Sequence, residues 1–137
     1  MKTQLLALLA LASLAPLMVA CSGALRSPEM YRDDTGKVFA SKAGDMKACY
    51  DDFLKIMPRV GGTVTVKFTW SSEDGTLKDT AVDVPNTTAP ALVQQCVTKA
   101  LTGLTLDPKD AKDGLGSWKF EFHPDAPAQS PPAAPKT

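Results

Sequence analysis

The chain has 137 residues, and its 15 Lys and Arg residues balance 15 Asp and Glu residues. This length allows one domain, and about ninety residues remain to form a modest core once terminal targeting and tail segments are set aside. Because cations and anions alternate along the chain, no basic stripe that could follow a phosphate backbone is present. Nucleic acid is therefore excluded as an expected partner.

The first twenty residues have the three parts of a secretory signal. Lys2 is followed by an apolar run over residues 5–12 and then by small residues up to Cys21. The last four positions, Met-Val-Ala-Cys, resemble the lipobox of bacterial prolipoproteins. An uncleaved membrane helix is the alternative, but the apolar stretch contains Pro16 and is shorter than the about 20 residues that a membrane span needs.

The lipobox resemblance implies cleavage before Cys21 and attachment of several acyl chains to that cysteine, which would anchor the protein stably to a membrane. Ser22 follows the cysteine, whereas Asp at this position is associated with inner-membrane retention in enterobacterial lipoproteins. We therefore expect the bacterial outer membrane, with the protein anchored in the inner leaflet and facing the periplasm.

Both ends of the mature chain have compositions that predict little regular structure. Residues 21–37 carry small, polar and turn-forming side chains without a sustained apolar period, which predicts the lipidated cysteine and a flexible tether. Residues 124–137 are rich in Pro and Ala, which predicts a disordered tail. The spacing of Pro132 and Pro135 is a weak match to polyproline ligands, and a solvated tail is the favoured interpretation.

Residues 38–123 carry the periodic patterns of a folded domain. Apolar residues at steps of three and four predict a helix over residues 41–57, with Ser41 as its N-cap and Pro58 after its end. Residues 63–70 alternate apolar and polar side chains and are the clearest predicted strand. A turn containing Asp-Gly leads to a less regular strand over residues 76–84.

A second helix and a third strand complete the pattern. Thr87 or Thr88 can cap a helix whose apolar stripe runs from Val93 to Leu104. A polar loop then leads to a strand over residues 118–123 with three aromatic residues on one face. We predict an α+β domain in which two helices pack on one face of a three-stranded antiparallel sheet, with strand order 2-1-3.

Several of these features together resemble the AgmX/PglI C-terminal domain, a relative of the TonB C-terminal fold. The resemblance rests on Cys49-Tyr50 in the first helix, Pro58, the Val-x-Val-x-Phe strand, the Asp-Gly hairpin and Cys96 in the second helix. It covers about residues 38–123. It implies two helices on a three-stranded sheet and a role in periplasmic protein interaction, and it does not supply a ligand.

The three cysteines have different expected roles. Cys21 is assigned to lipidation, while Cys49 and Cys96 lie on the apolar stripes of two helices that should pack on the same sheet face. In an exported chain, this arrangement predicts a disulfide between them. The alternative is two buried thiols that act as small apolar side chains.

No pattern of residues points to catalysis, a metal or a cofactor. The mature chain has a single histidine, His123, and no partner motif accompanies it. Asp107, Asp110 and Asp113 are interleaved with lysines and lack the spacing of a calcium loop, so an ordinary solvated loop is predicted. We expect a protein that is not an enzyme and has no small-molecule substrate.

The remaining hypothesis is a lipid-anchored periplasmic domain that binds another envelope protein in a motility- or transport-associated assembly. A partner strand would add to the exposed sheet edge, which is expected at the third strand. The alternative is a structural envelope lipoprotein that binds peptidoglycan or acts as a spacer. The predicted edge residues are Trp118, Lys119, Phe120, Glu121 and Phe122.

Overall fold

A computed structural model describes residues 25–124 of the chain. These residues form three α-helices, three β-strands and one turn of 3-10 helix over Val84–Asn86. The helices are α1 (Pro28–Ala40), α2 (Ala43–Leu54) and α3 (Ala91–Leu101), and the strands are β1 (Gly62–Trp70), β2 (Leu77–Val82) and β3 (Gly114–Phe122).

The three strands form one antiparallel sheet in the order β2-β1-β3. β1 pairs with β3 over nine positions without a break, from Gly62 opposite Phe122 to Trp70 opposite Gly114. This arrangement confirms the predicted fold class and strand order. The long central strand follows from its alternating Val, Thr and Phe residues, which favour a pleated and half-buried surface.

The core lies between one face of the sheet and the helices. Alternate residues of β1 and β3 point inward, and the Phe39 ring of α1 packs against Phe68, Trp118 and Phe120 with ring centroids 5.2–5.7 Å apart. Edge-on and tilted ring contacts of this kind add to the free energy of burying the rings. The other sheet face is polar, with Lys67, Lys119 and Glu121 exposed. The domain therefore has two layers.

Helix α1 corrects the prediction of a flexible tether over residues 21–37, because residues 28–37 are helical. Ser27 is the N-cap and accepts a hydrogen bond from the Met30 amide, and Pro28 occupies the first helical turn, where its missing amide hydrogen costs little. The inward stripe of α1 includes Thr35 and Gly36 beside Phe39. Because these residues are small or polar, the sequence shows no apolar repeat at helical spacing here.

Two predicted helix caps are also wrong. Ser41 ends α1 instead of starting α2, and its hydroxyl donates to the Val38 carbonyl. Thr87 and Thr88 do not cap α3: their hydroxyls accept hydrogen bonds from the amides of Thr65 and Thr63. Both threonines thus continue the hydrogen bonding of β1 beyond the end of β2.

Strand β2 is short and irregular. Its register against β1 shifts between Lys67 and Thr69, and Asp79 has a φ of 54° in this region. Asp tolerates the left-handed conformation better than most residues because its short polar side chain can bond locally. The irregularity expected of this strand is confirmed as a bulge, which disrupts the ladder and increases the local twist.

Candidate functional site

The outer side of β3 is an open sheet edge, since no other strand in residues 25–124 pairs with it there. The opposite edge, at β2, is shorter and partly covered. At that edge the Leu77 amide donates to the Leu104 carbonyl, and Thr76 forms an isolated bridge with Thr105. β3 therefore offers nine residues in unbroken register as the longer free edge.

The hydrogen bonds of β1 identify the backbone groups of β3 that face this open edge. The Thr63 and Thr65 carbonyls accept bonds from the chain on the β2 side, so odd-numbered residues of β1 face away from β3. Even-numbered residues of β1 must then form the hydrogen-bonded pairs with β3, because such pairs alternate along an antiparallel ladder. Their partners in β3 are also even-numbered. The outward groups therefore belong to Leu115, Ser117, Lys119 and Glu121.

The five predicted edge residues divide into two groups. Trp118, Phe120 and Phe122 are buried, and their side chains and backbone groups belong to the core and to the β1 ladder. Lys119 and Glu121 have exposed side chains and outward backbone groups. The predicted strand thus has the expected place in the sheet, but only alternate residues of it are available to a partner.

The five predicted edge residues do not include the first part of the open edge. Leu115 and Ser117 also have outward backbone groups, and the Leu115 side chain is 85% exposed. The alternation of inward and outward residues in β3 begins at Gly114. It is not visible at the start of the strand because the inward positions there are Gly114 and Gly116, which have no side chains. Glycine within a strand indicates close approach by another group, which is the case at both positions.

A groove of about 460 Å³ lies between the first half of α1 and the start of β3. A Cβ atom at Gly114 would be 2.5 Å from the Tyr31 ring, and one at Gly116 would be 2.5 Å from the Phe68 ring. The two rings therefore pack directly over the backbone of β3. Trp118 also lines this groove, and its indole Nε1 is buried without a hydrogen-bond partner among the described residues.

Arg26 attaches the start of α1 to the loop before β3. Its amide donates to the Asp110 carboxylate at 2.8 Å, and its guanidinium donates to the Pro108 carbonyl at 2.6 Å and to Asp34 at 2.9 Å. The guanidinium also lies over the Tyr31 ring. Only 6% of the Arg26 side chain is exposed, so this charge is paired inside the protein.

The same cluster shifts the acidity of two groups. Burial, together with the neighbouring Asp110 carboxylate, raises the pKa of Tyr31 to about 12. For Asp110, burial opposes ionisation, but the amides of Arg26 and Ala111 donate to the carboxylate and hold its pKa below the ordinary value. Both groups are therefore in their usual charge states at neutral pH, and their role is to hold α1 on the loop.

The acidic loop before β3, which contains Asp107, Asp110 and Asp113, differs from the predicted solvated loop. Asp110 is buried, and Asp113 accepts hydrogen bonds from the amide and the hydroxyl of Ser72, each at 2.8 Å. These bonds fix the loop against the β1–β2 turn. Within residues 25–124, no three His, Cys, Asp or Glu side chains are arranged to hold a metal ion. His123 lies at the end of β3, with Nε2 3.6 Å from the Glu121 carboxylate.

The predicted disulfide between Cys49 and Cys96 is present and joins α2 to α3. The two Cα atoms are 5.7 Å apart, and 47 positions separate the cysteines in the sequence. Cys96 is fully buried on the same helix as the buried Val93 and Val97. The bond thus fixes α2 and α3 to each other.

Three predictions concern residues outside the described range: the signal segment over residues 1–20, lipidation at Cys21 and nearly all of the tail over residues 124–137. In the part of the chain that is described, none of the helices has the length and apolar character to cross a membrane. Comparisons with protein-family models, curated proteins and solved structures found no match to the chain.

Proposed function

We propose that this protein is a lipid-anchored, non-catalytic interaction domain of the bacterial envelope, which binds a partner protein by strand addition to β3. The observation that carries the proposal is the open edge of β3, where four successive outward residues have unpaired backbone groups and the pairing with β1 has no bulge. An edge of this length is a template for another strand unless something covers or disrupts it.

The side chains along the edge add selectivity to this backbone recognition. In strand addition, main-chain hydrogen bonds provide affinity and alternate side chains provide specificity. Here the exposed side chains are Leu115, Ser117, Lys119 and Glu121. Lysine in an edge strand discourages indiscriminate pairing. A fitting partner strand would place an acidic residue opposite Lys119 and a basic residue opposite Glu121, since opposite charges stabilise cross-strand pairs.

The cellular setting of the proposal comes from the sequence. The lipobox resemblance supplies the anchor at Cys21, on the periplasmic side of the outer membrane, and the Cys49–Cys96 disulfide is compatible with that compartment. The AgmX/PglI resemblance suggests a motility- or transport-associated assembly. The fold that it implies, with helices on one face of a three-stranded sheet, is compatible with the observed domain.

Site-specific cross-linking in cells tests the proposal. A photoreactive amino acid at Ser117 should cross-link a defined protein, whereas the same group at Thr69, on the paired strand β1, should not. Lys119→Pro should abolish the cross-link because it removes an outward amide, while proline remains tolerable in an edge strand. Lys119→Ala keeps the amide and should keep the cross-link.

Two outcomes would contradict strand addition. One is a cross-link that persists in a Lys119→Pro variant with an unchanged circular dichroism spectrum. The other is the absence of a protein adduct together with sedimentation of the protein on purified sacculi, which would favour peptidoglycan binding instead. Phe120→Pro is unsuitable for this test, because Phe120 is buried and its amide belongs to the β1 ladder.

A further inference from the structure

The attachment of Arg26 changes the length of the connection between the domain and its proposed lipid. A tether over residues 21–37 would have allowed the domain to lie up to about 55 Å from Cys21. The folded domain instead begins at Arg26, whose amide and guanidinium are both bound to the loop before β3. Arg26 lies five positions after Cys21, and this length of chain can span at most about 17 Å.

We infer that the end of the domain formed by the start of α1 and the start of β3 lies against the phospholipid surface. This inference depends on the proposed lipid anchor at Cys21. A connection of at most about 17 Å, joined to a fixed point on the domain, brings this end close to the headgroups and leaves the opposite end farther away. The occupant of this end is therefore the bilayer that holds the lipid, and the partner strand of the proposed function pairs with the part of the β3 edge farther from it, at Ser117, Lys119 and Glu121.

The exposed side chains at this end fit such a surface. Leu25 is 60% exposed, Met30 is 53% exposed and Leu115 is 85% exposed. Leu25 precedes the attached Arg26, and Leu115 lines the same groove as Arg26. Apolar side chains that enter the boundary between headgroups and acyl chains strengthen membrane association in proportion to the area that they bury. Here they would add to the membrane contact that the short connection imposes.

The opposite end of the sheet provides an internal control. β1 begins there at Gly62 opposite Phe122, and Tyr50, near the end of α2, packs against Phe122. Ile56 follows α2 at this end and is 77% exposed, a fraction close to that of Leu115. Nine residues of β3 separate the two ends by about 27 Å. In this orientation β3 leads away from the membrane, and Glu121 is farther from the bilayer than Ser117.

Nitroxide-lipid quenching tests the orientation. The lipidated full chain is inserted into phosphatidylethanolamine–phosphatidylglycerol vesicles that contain headgroup-labelled nitroxide lipid. A fluorescent maleimide probe is attached either to Leu115→Cys or to Ile56→Cys under non-reducing conditions, which leave the Cys49–Cys96 disulfide intact. We expect strong quenching at position 115 and weak quenching at position 56. A Gly/Ser insert of about 20 residues between Ser22 and Leu25 should remove the difference, because it restores a long flexible connection.

The outcomes separate this inference from the proposal on which it depends. Equal quenching at the two positions would overturn the orientation while the anchor stands. A difference that the insert leaves unchanged would overturn the role of the short connection, on which the inference is built. Flotation of the same samples tests the anchor independently: protein that does not float with the vesicles lacks the lipid, and the proposed anchor and the orientation are then both wrong.

Discussion

The hydroxyl of Thr35 accepts a hydrogen bond from the indole nitrogen of Trp70 at 2.9 Å, in the buried interface between α1 and β1. Both residues are almost fully buried, at 3% and 2% exposure. The bond explains why a polar residue, Thr35, lies on the buried face of α1. It also satisfies the indole donor at the end of the central strand, next to the start of the open edge.

Replacement of Thr35 by Val should destabilise the domain. The change preserves the shape of the side chain but leaves the Trp70 donor buried without a partner, which costs about 1–3 kcal/mol. Chemical denaturation followed by tryptophan fluorescence would measure the difference. Thr35→Ser retains the acceptor and lacks only the methyl group. It should therefore destabilise the domain less than Thr35→Val does. Equal destabilisation by the two variants would show that the hydrogen bond contributes little.

Removal of the Cys49–Cys96 disulfide should also destabilise the protein. In the chain-entropy model, closing a loop of 47 positions is worth about 4 kcal/mol, a large fraction of the total stability of a small domain. We expect the double Cys→Ala variant to unfold at much lower urea concentration. The reduced wild-type protein is the matched control, since it lacks the bond but keeps both sulfur atoms. Unchanged midpoints in both would contradict the prediction.

Asp110 should contribute a pH-dependent part of the stability. Its pKa is lower in the folded protein than the ordinary value of 3.8, because the Arg26 and Ala111 amides outweigh the effect of burial. The stabilisation is thus fully present above the unfolded pKa and is lost as the pH falls through the folded pKa.

The test compares urea unfolding of wild type and Asp110→Ala at a series of pH values. At neutral pH, we expect a loss of about 1–3 kcal/mol, since two donors lose their acceptor. The difference should shrink as the pH falls below about 3.8, where more than half of the wild-type carboxyl groups are protonated in the unfolded chain. Asp33→Ala, at an exposed position of α1, is the control. A loss that does not vary with pH would contradict the assignment.

Gly116 should not tolerate a side chain. A Cβ atom there would be 2.5 Å from Phe68 Cζ, and the Phe68 ring is held in the core. We expect Gly116→Ala to destabilise the domain by about 1–3 kcal/mol through overpacking. The comparison is Gly44→Ala in α2, where no atom outside its chain neighbours and its own helix backbone lies within 4 Å of the added carbon, and a gain of about 0.5–1 kcal/mol is expected. Thermal unfolding of the two variants should therefore shift in opposite directions.

The sequence predicted the elements that have strong periodic patterns and missed those that depend on tertiary contacts. β1, α2, α3 and the strand order were accessible because apolar residues recur at the correct period. α1 was not, because its inward stripe contains Thr35, which is buried through a bond to Trp70. The structure of the acidic loop also depends on a distant partner, since Asp110 binds the Arg26 amide 84 positions away.

The sequence predicted which strand forms the open edge, but not which of its backbone groups face outward. Aromatic alternation located β3, yet the available backbone groups depend on the pairing of β1 with both of its neighbours. That pairing was set by contacts such as the Thr65 carbonyl with the Asp83 amide, which no local pattern indicates. Trp118, Phe120 and Phe122 were included as edge residues because the alternation places their side chains on one face but does not show that their backbone groups pair with β1.

Amide hydrogen exchange along β3 tests the central claim most directly. In the purified protein, the amides of Ser117, Lys119 and Glu121 should exchange rapidly, and those of Trp118, Phe120 and Phe122 should be protected by the ladder with β1. In isolated envelopes, where the proposed partner is present, the first three amides should become protected as well. Single-residue mass spectrometry would measure both samples. Protection of all six amides in the purified protein, or an alternation that persists in envelopes, would contradict strand addition at this edge.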